Sequence, residues 1–122
     1  MRIVILAVCI ALTACASQVQ FAKERMSDVY VKDFYSTDPT CTTSDVDLTH
    51  SGAEEFFKRS KSLDYKTLTD NYPIAPCYIM GTLLYKGKIC DWKILAGSTG
   101  SIKCDAQEWF FACDTCEDLF KK

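Results

Sequence analysis

The stretch Cys77–Ala96, CYIMGTLLY-KG-KICDWKILA, contains the pattern that decides the fold. Residues Cys77–Tyr85 are rich in the aliphatic and aromatic side chains typical of strands. The pair Lys86-Gly87 predicts a tight turn. Residues Lys88–Ala96 then alternate with a period of two. The apolar face contains Cys90, Trp92, Ile94 and Ala96, and the polar face contains Asp91 and Lys93. The stretch therefore predicts a β-hairpin with one buried face.

Shorter segments after the hairpin extend the predicted sheet. The sequence Gly97–Gly100 predicts a second turn, Ser101–Cys104 a third strand and Glu108–Ala112 a fourth. Because these connections are short, neighbouring strands should run antiparallel. Phe110 and Phe111 are consecutive, so a strand places them on opposite faces. Either both faces of the sheet are covered, or one of these two rings is exposed.

The residues before the hairpin predict two helices. Ser51 and Glu54 fit a capping box, with Thr49 as a rival N-cap, and apolar residues at helical spacing predict a helix over residues 50–62. Asp64 fits the N-cap of a second, short helix that reaches Asp70. We expect both helices to cover one face of the sheet, with Trp92 against the first of them.

The resulting fold class is α+β: an antiparallel β-meander of about four strands, packed against one or two helices and stapled by disulfides. Residues 26–122 form a single cysteine-rich domain in this interpretation, since 122 residues leave room for one domain. Residues 26–35 alternate only partly, and predict either a short strand or an ordered arm. The net charge of −2 without a basic patch argues against nucleic-acid binding.

The N-terminal residues have the features of an export signal. A basic residue, Arg2, precedes an apolar run from Ile3 to Leu12. The run is too short for a membrane-spanning helix, which needs about 20 residues. Its length and charge are typical of a signal peptide, which we place at residues 1–14.

The sequence Leu12-Thr13-Ala14-Cys15 resembles the lipobox of bacterial lipoproteins. The resemblance implies lipidation of Cys15, cleavage just before it, and a membrane anchor with residues 15–25 as lipidated N-terminus and tether. Ala16 after the cysteine implies a place on the outer membrane, facing the periplasm. The alternative is cleavage after Ala16 and a secreted or periplasmic soluble protein.

Eight cysteines in so short a chain are typical of an oxidising compartment. Cys9 leaves with the signal peptide, and Cys15 is lipidated or removed. An even set remains for three disulfides whose connectivity the sequence leaves open: Cys41, Cys77, Cys90, Cys104, Cys113 and Cys116. We expect Cys41 to tie its loop to the sheet.

Few residues suggest chemistry. The motif Cys113-Asp-Thr-Cys116 could serve as a disulfide, a redox pair or half of a metal site, but the chain after Cys116 is too short for the helix of a thioredoxin-like site. His50 is the single histidine and fits a surface or capping position. The acidic residues Asp114, Glu117 and Asp118 fit a solvated surface or a contact for a basic partner. We therefore predict no catalytic residue, metal or cofactor.

The mature part resembles small uncharacterised exported bacterial proteins, a resemblance carried by the sequences Pro76–Ile79, Cys90–Trp92, Ala96-Gly97 and Cys113–Leu119. It implies no activity. We hypothesise that the domain is non-enzymatic and binds a protein. It would act as an inhibitor of, or an immunity protein against, a secreted hydrolase or toxin. A rigid domain stapled by disulfides suits this role because it loses little entropy on docking. The alternative is a thiol-active envelope protein using Cys113 and Cys116.

Overall fold

The computed structural model describes residues 20–120; the predicted signal peptide and Cys15 lie outside them. This part of the chain contains six strands: β1 Met26–Ser36, β2 Lys61–Leu63, β3 Cys77–Tyr85, β4 Lys88–Leu95, β5 Thr99–Cys104 and β6 Gln107–Ala112. It also contains three α-helices: α1 His50–Arg59, α2 Tyr65–Asn71 and α3 Glu117–Phe120. Short 3-10 turns lie at Lys23–Arg25 and Thr43–Asp45.

The strands form one antiparallel sheet in the order β1-β3-β4-β5-β6-β2. The α+β class and the meander from β3 to β6 are confirmed, but the count of four strands is wrong, because β1 and β2 add one strand at each edge. In β1 the register shifts between Ser27 and Tyr30 and again between Val31 and Asp33, which interrupts the alternation in its sequence. The three residues of β2 follow α1 directly, where the apolar spacing predicts more helix.

Two tight turns connect the first three strands of the meander. Lys86 and Gly87 both have positive φ, 53° and 82°, as a two-residue hairpin turn requires, so the predicted turn is confirmed. The second turn is shorter than predicted, because Thr99 and Gly100 already belong to β5. A Cβ on Gly100 would lie 3.2 Å from the ring of Phe56 and 2.7 Å from the Lys93 carbonyl oxygen. This glycine lets α1 approach the sheet and does not form the turn.

Side-chain caps set the helix boundaries. The Thr49 hydroxyl accepts a hydrogen bond from the Gly52 amide at 3.0 Å, so the rival N-cap is the one used and the Ser51 capping box is wrong. Helix α1 ends at Arg59, earlier than predicted, and the Ser60 hydroxyl donates to the Phe56 carbonyl at 2.7 Å. The prediction for α2 is confirmed at its start, where the Asp64 carboxylate accepts from the Thr67 amide.

The core lies between α1 and the face of the sheet that we call the inner face. Phe56, Phe57 and Trp92 are almost completely buried there, and the Phe57 ring meets Trp92 edge-on with 5.8 Å between the centroids. The indole Nε1 of Trp92 donates to the Thr82 carbonyl at 2.9 Å, which satisfies its polar atom. The predicted facing of Trp92 towards α1 is confirmed.

The ordered domain includes residues for which the sequence predicts a tether. Phe21 is 9% exposed, stacks on Tyr85 at 4.3 Å between centroids and meets Trp109 edge-on at 5.1 Å. The Ala22 amide donates to the Tyr85 hydroxyl at 2.8 Å. The ordered domain therefore includes Phe21 and Ala22, which the sequence analysis assigns to the tether.

The two longer helices contact opposite faces of the sheet. Phe111 packs against Phe57 of α1 on the inner face, with 5.4 Å between the ring centroids. Its neighbour Phe110 points the other way and contacts Tyr65 of α2 at 5.1 Å. The expectation that both helices cover one face is wrong, because β2 carries the chain to the sheet edge before α2 begins. Within residues 20–120, no helix covers the outer face, opposite α1, beyond α2.

Gly81 in the middle of β3 should tolerate no side chain. A Cβ there would lie 1.8 Å from the Tyr30 carbonyl oxygen and 2.7 Å from the Trp92 ring. Because one of these neighbours is backbone of the paired strand, Gly81→Ala should lower the free energy of unfolding by about 2–3 kcal/mol, the upper range for overpacking. Urea unfolding measures this cost. Gly87→Asn is the control, because a Cβ there would meet no described atom within 4 Å, so its cost reports only the positive φ, which Asn adopts more readily than most residues. A neutral Gly81→Ala would mean that β1 does not lie against β3 here.

Candidate functional site on the outer face

An exposed aromatic patch lies on the outer face, formed by Tyr35, Tyr78 and Lys93. Tyr35 of β1 is 48% exposed and packs on the half-buried Tyr78 of β3, with 5.3 Å between the ring centroids. The Lys93 ammonium of β4 lies 4.9 Å from the Tyr78 centroid, within cation–π range. The three side chains therefore hold one another in place on the surface before any partner binds.

A hollow of 390 Å³, which we call the face hollow, shares Lys93 with the aromatic patch. Charges alternate across its strands: Asp91 of β4 pairs in register with Lys103 of β5, which pairs with Glu108 of β6. Opposite charges at such positions favour each other. The hollow therefore offers both donors and acceptors around the apolar side chain of Met80. This mixture fits a polypeptide surface better than a ligand of a single charge.

Sequence reasoning missed the aromatic patch. Tyr35 and Tyr78 meet because β1 pairs with β3, a contact between segments about 40 residues apart that local periodicity does not report. One signal in the sequence could have placed Tyr78. It lies between Cys77 and Ile79, which are both buried, so once the strand is known Tyr78 must point to the outer face.

The six cysteines of residues 20–120 form three disulfides, Cys41–Cys77, Cys90–Cys104 and Cys113–Cys116. The first ties the loop after β1 to the start of β3, as expected for Cys41. The second joins neighbouring strands β4 and β5. The third closes the turn between β6 and α3. The structure therefore uses all six cysteines of residues 20–120 as covalent staples.

The motif Cys113–Cys116 is poorly placed for thiol chemistry. Cys113 is 3% exposed and Cys116 is completely buried, so an incoming thiol has little access to either sulfur. The Cys116 carbonyl accepts from the Leu119 amide, which fixes the turn. These observations favour the structural interpretation of this pair.

The acidic residues beside this motif have partners within the domain. The Arg59 guanidinium donates to both oxygens of Asp118, at 2.8 and 3.2 Å. Lys61 lies 2.9 Å from the Asp114 carboxylate, which also accepts from the Tyr72 hydroxyl at 2.8 Å. These two partners lower the pKa of Asp114, and Asp114 in turn raises the pKa of Lys61. These contacts hold the residues around Asp114 and Asp118 against α1, β2 and α2. Because the carboxylates already bind basic side chains of the domain, they are less suited to bind a basic partner.

His50 is the first residue of α1 and lies at the edge of the sheet. Its Nδ1 accepts a hydrogen bond from the Val31 amide of β1 at 2.9 Å, and its ring stacks on Tyr30 with 4.5 Å between centroids. The Nδ1 atom of His50 is thus occupied by a structural hydrogen bond. His50 therefore closes the sheet edge.

Within residues 20–120, Cys41, Asp45 and Cys77 bring three potential metal-ligand atoms within 4.8 Å of one another, but the two sulfurs are bonded to each other as a disulfide. Metal coordination requires thiolates, so this group is a staple. Among the described helices, none is long and apolar enough to cross a membrane.

Comparison with known proteins adds no assignment: no family model, no curated protein and no solved structure matches this chain.

Proposed function

We propose that this chain is a lipid-anchored envelope protein that binds another protein through the outer face of its sheet, as an inhibitor of or immunity protein against a secreted hydrolase or toxin. The observation that carries the binding role is the aromatic patch of Tyr35, Tyr78 and Lys93 beside the face hollow. Tyrosine is one of the residues that contribute most to protein interfaces, because it buries a large area and loses few rotamers.

The rigidity of the domain supports the same role. Three disulfides and a continuous sheet hold the outer face in one shape. A surface that is already ordered loses less conformational entropy when a partner docks, and this raises affinity without new contacts. The mixed charges of the face hollow would then select a partner with the complementary pattern.

The anchor is tested through Cys15. In the exporting host, the wild-type protein should partition into detergent and incorporate a clickable fatty acid, whereas Cys15→Ser should do neither. A stable anchor needs more than one acyl chain, so mass spectrometry should find a modified N-terminal cysteine that carries at least two. A soluble, unlabelled product that begins at Ser17 would contradict the anchor and favour ordinary secretion.

The binding role is tested with two tyrosines of matched exposure on the same strand. Tyr35 is 48% exposed and belongs to the aromatic patch, whereas Tyr30 is 55% exposed and stacks on His50 at the sheet edge. A partner captured from envelope extracts by the full-length protein should bind the Tyr35→Ala variant at least about tenfold more weakly, as expected for a hot-spot residue. Tyr30→Ala should bind like the wild type. Equal loss in both variants, or none in either, would contradict docking on the outer face.

A further inference from the structure

The Cys90–Cys104 disulfide joins two central strands of the sheet, yet one of its two cysteines reaches the surface. Cys104 is half-buried and lines a hollow of 550 Å³ between the β3–β4 and β5–β6 turns, which we call the tip hollow. Its partner Cys90 is 2% exposed. Thiol–disulfide exchange requires a thiolate to reach one sulfur of the bond. The geometry therefore directs an incoming thiol to Cys104 and makes Cys90 the departing sulfur.

The charges of the tip hollow favour an anionic reagent. Lys86 and Lys88 both line it; the Lys88 ammonium pairs with Asp105 at 2.5 Å, and the Lys86 ammonium lies 5.3 Å from the Tyr85 ring centroid. Two lysines against one carboxylate leave the hollow with a local positive charge. Positive charge favours a thiolate over a thiol and attracts a thiol that bears carboxylates.

The other two disulfides lack this combination. Cys41 lines a surface hollow that contains Asp38, and the Asp45 carboxylate lies within 4.8 Å of the Cys41 and Cys77 sulfurs. Carboxylates at such distances repel an approaching thiolate. In the third pair, Cys113 and Cys116, both residues are buried. Charge therefore separates Cys104 from Cys41, which is half-buried as well, and access separates it from Cys113 and Cys116.

The sheet should survive when this bond opens. Cys90 and Cys104 lie one position beyond the register pair Asp91–Lys103, with 4.7 Å between their Cα atoms. The backbone ladder from Asp91–Lys103 to Leu95–Thr99 holds β4 and β5 together whether or not the sulfurs are bonded. Cys41–Cys77, in contrast, ties down a loop with a sequence separation of 36 residues.

We propose that Cys90–Cys104 is a thiol-exchange site for a small anionic thiol. The thiolate attacks Cys104 Sγ, the Cys90–Cys104 bond breaks, and its electron pair leaves on Cys90 Sγ, which takes up a proton from water. The product is a mixed disulfide at Cys104 and a free thiol at Cys90. A second thiolate then attacks the sulfur of the bound thiol, releases Cys104 as a thiolate and leaves as the symmetrical disulfide, so two electrons pass from two thiols to the protein. This site goes beyond the binding role proposed above and does not depend on it.

Graded exposure of the full-length, oxidised protein to glutathione, followed by alkylation and peptide mass spectrometry, tests the site. We expect a glutathione adduct on Cys104 and an alkylated Cys90 to appear before any modification of the other four described cysteines. The circular dichroism of the partly reduced protein should match that of the oxidised protein. First modification at Cys41, Cys77, Cys113 or Cys116 would overturn the proposal.

A comparison of two thiols that differ in charge separates the electrostatic argument from simple access. Replacing both lysines, Lys86→Gln with Lys88→Gln, should slow the reaction with anionic glutathione by about tenfold, the lower range for electrostatic steering. The reaction with 2-mercaptoethanol, which also attacks as a thiolate but carries no carboxylate, should slow less. The control variant Lys66→Gln alters a lysine of α2 outside the tip hollow and should leave both rates unchanged. Equal slowing with both reagents, or no slowing with glutathione, would overturn the proposed preference for an anionic thiol.

Discussion

Replacing Trp92 with alanine should lower the free energy of unfolding by about 3–5 kcal/mol, as large aromatic truncations in cores do. The side chain is 1% exposed, meets Phe57 of α1 edge-on and donates to the Thr82 carbonyl. The truncation therefore removes apolar contacts, opens a cavity and removes a hydrogen bond to the Thr82 carbonyl. Because small domains are stable by only about 5–15 kcal/mol in total, the variant should be partly unfolded at 37 °C. Urea unfolding followed by circular dichroism measures the change.

Two further variants locate the cause of this loss. Trp92→Phe keeps an aromatic ring against Phe57 but removes the indole N–H, so it should cost clearly less than Trp92→Ala. Ile89 lies on the same strand near the turn and is 75% exposed. Ile89→Ala should therefore change the free energy of unfolding by less than about 0.5 kcal/mol. A loss below about 1 kcal/mol for Trp92→Ala would show that the ring is not in the core.

Removal of the Cys41–Cys77 disulfide should be the other large perturbation. Its sequence separation of 36 residues is the longest of the three. Loop-closure entropy predicts that this bridge stabilises the fold by about 4 kcal/mol, because the cross-link restricts the unfolded chain. The double variant Cys41→Ala, Cys77→Ala should therefore be recovered in low yield and unfold at much lower urea concentration. Alanine avoids placing a hydroxyl at the buried position of Cys77.

The C-terminal disulfide, Cys113–Cys116, provides the control. Cys113 and Cys116 are separated by 3 residues, so the same model assigns their bridge about 2 kcal/mol. Unfolding midpoints should then rank the wild type first, the Cys113→Ala, Cys116→Ala variant second and the Cys41→Ala, Cys77→Ala variant last. The reverse order would mean that native packing around the C-terminal turn outweighs the entropy of the long loop.

The parts of the fold that the sequence predicts are those decided by neighbours along the chain. The hairpin from Cys77 to Leu95 follows from period-two patterning and from the Lys86-Gly87 turn, and both are local. The cap of α2 at Asp64 is local as well. The N-cap of α1 is harder to predict, because the hydroxyls of Ser51 and Thr49 both suit this position and the structure uses Thr49.

Long-range pairing accounts for the parts that the sequence left open or missed. Strand β1 depends on β3 for its conformation, and two register shifts hide its pattern. Strand β2 has three residues and exists because β6 offers an unpaired edge. The disulfide partners and the aromatic patch depend on the same distant pairings, since Tyr35 and Cys41 reach β3 through the path of β1. Composition and spacing contain no information on those contacts.

The hydrogen bonds along the outer edge of β1 bear on how the protein behaves at high local concentration. The Val31 amide donates to His50 Nδ1, and the Phe34 amide donates to the Asp33 carboxylate at 2.8 Å. An edge strand of 11 residues would otherwise present a row of free backbone groups, a template on which further chains add strand by strand into aggregates. Here the chain's own side chains occupy two of those donors, and both register shifts bend the strand away from a flat template. These contacts and register shifts therefore lower the tendency of β1 to pair with the edge strand of another copy.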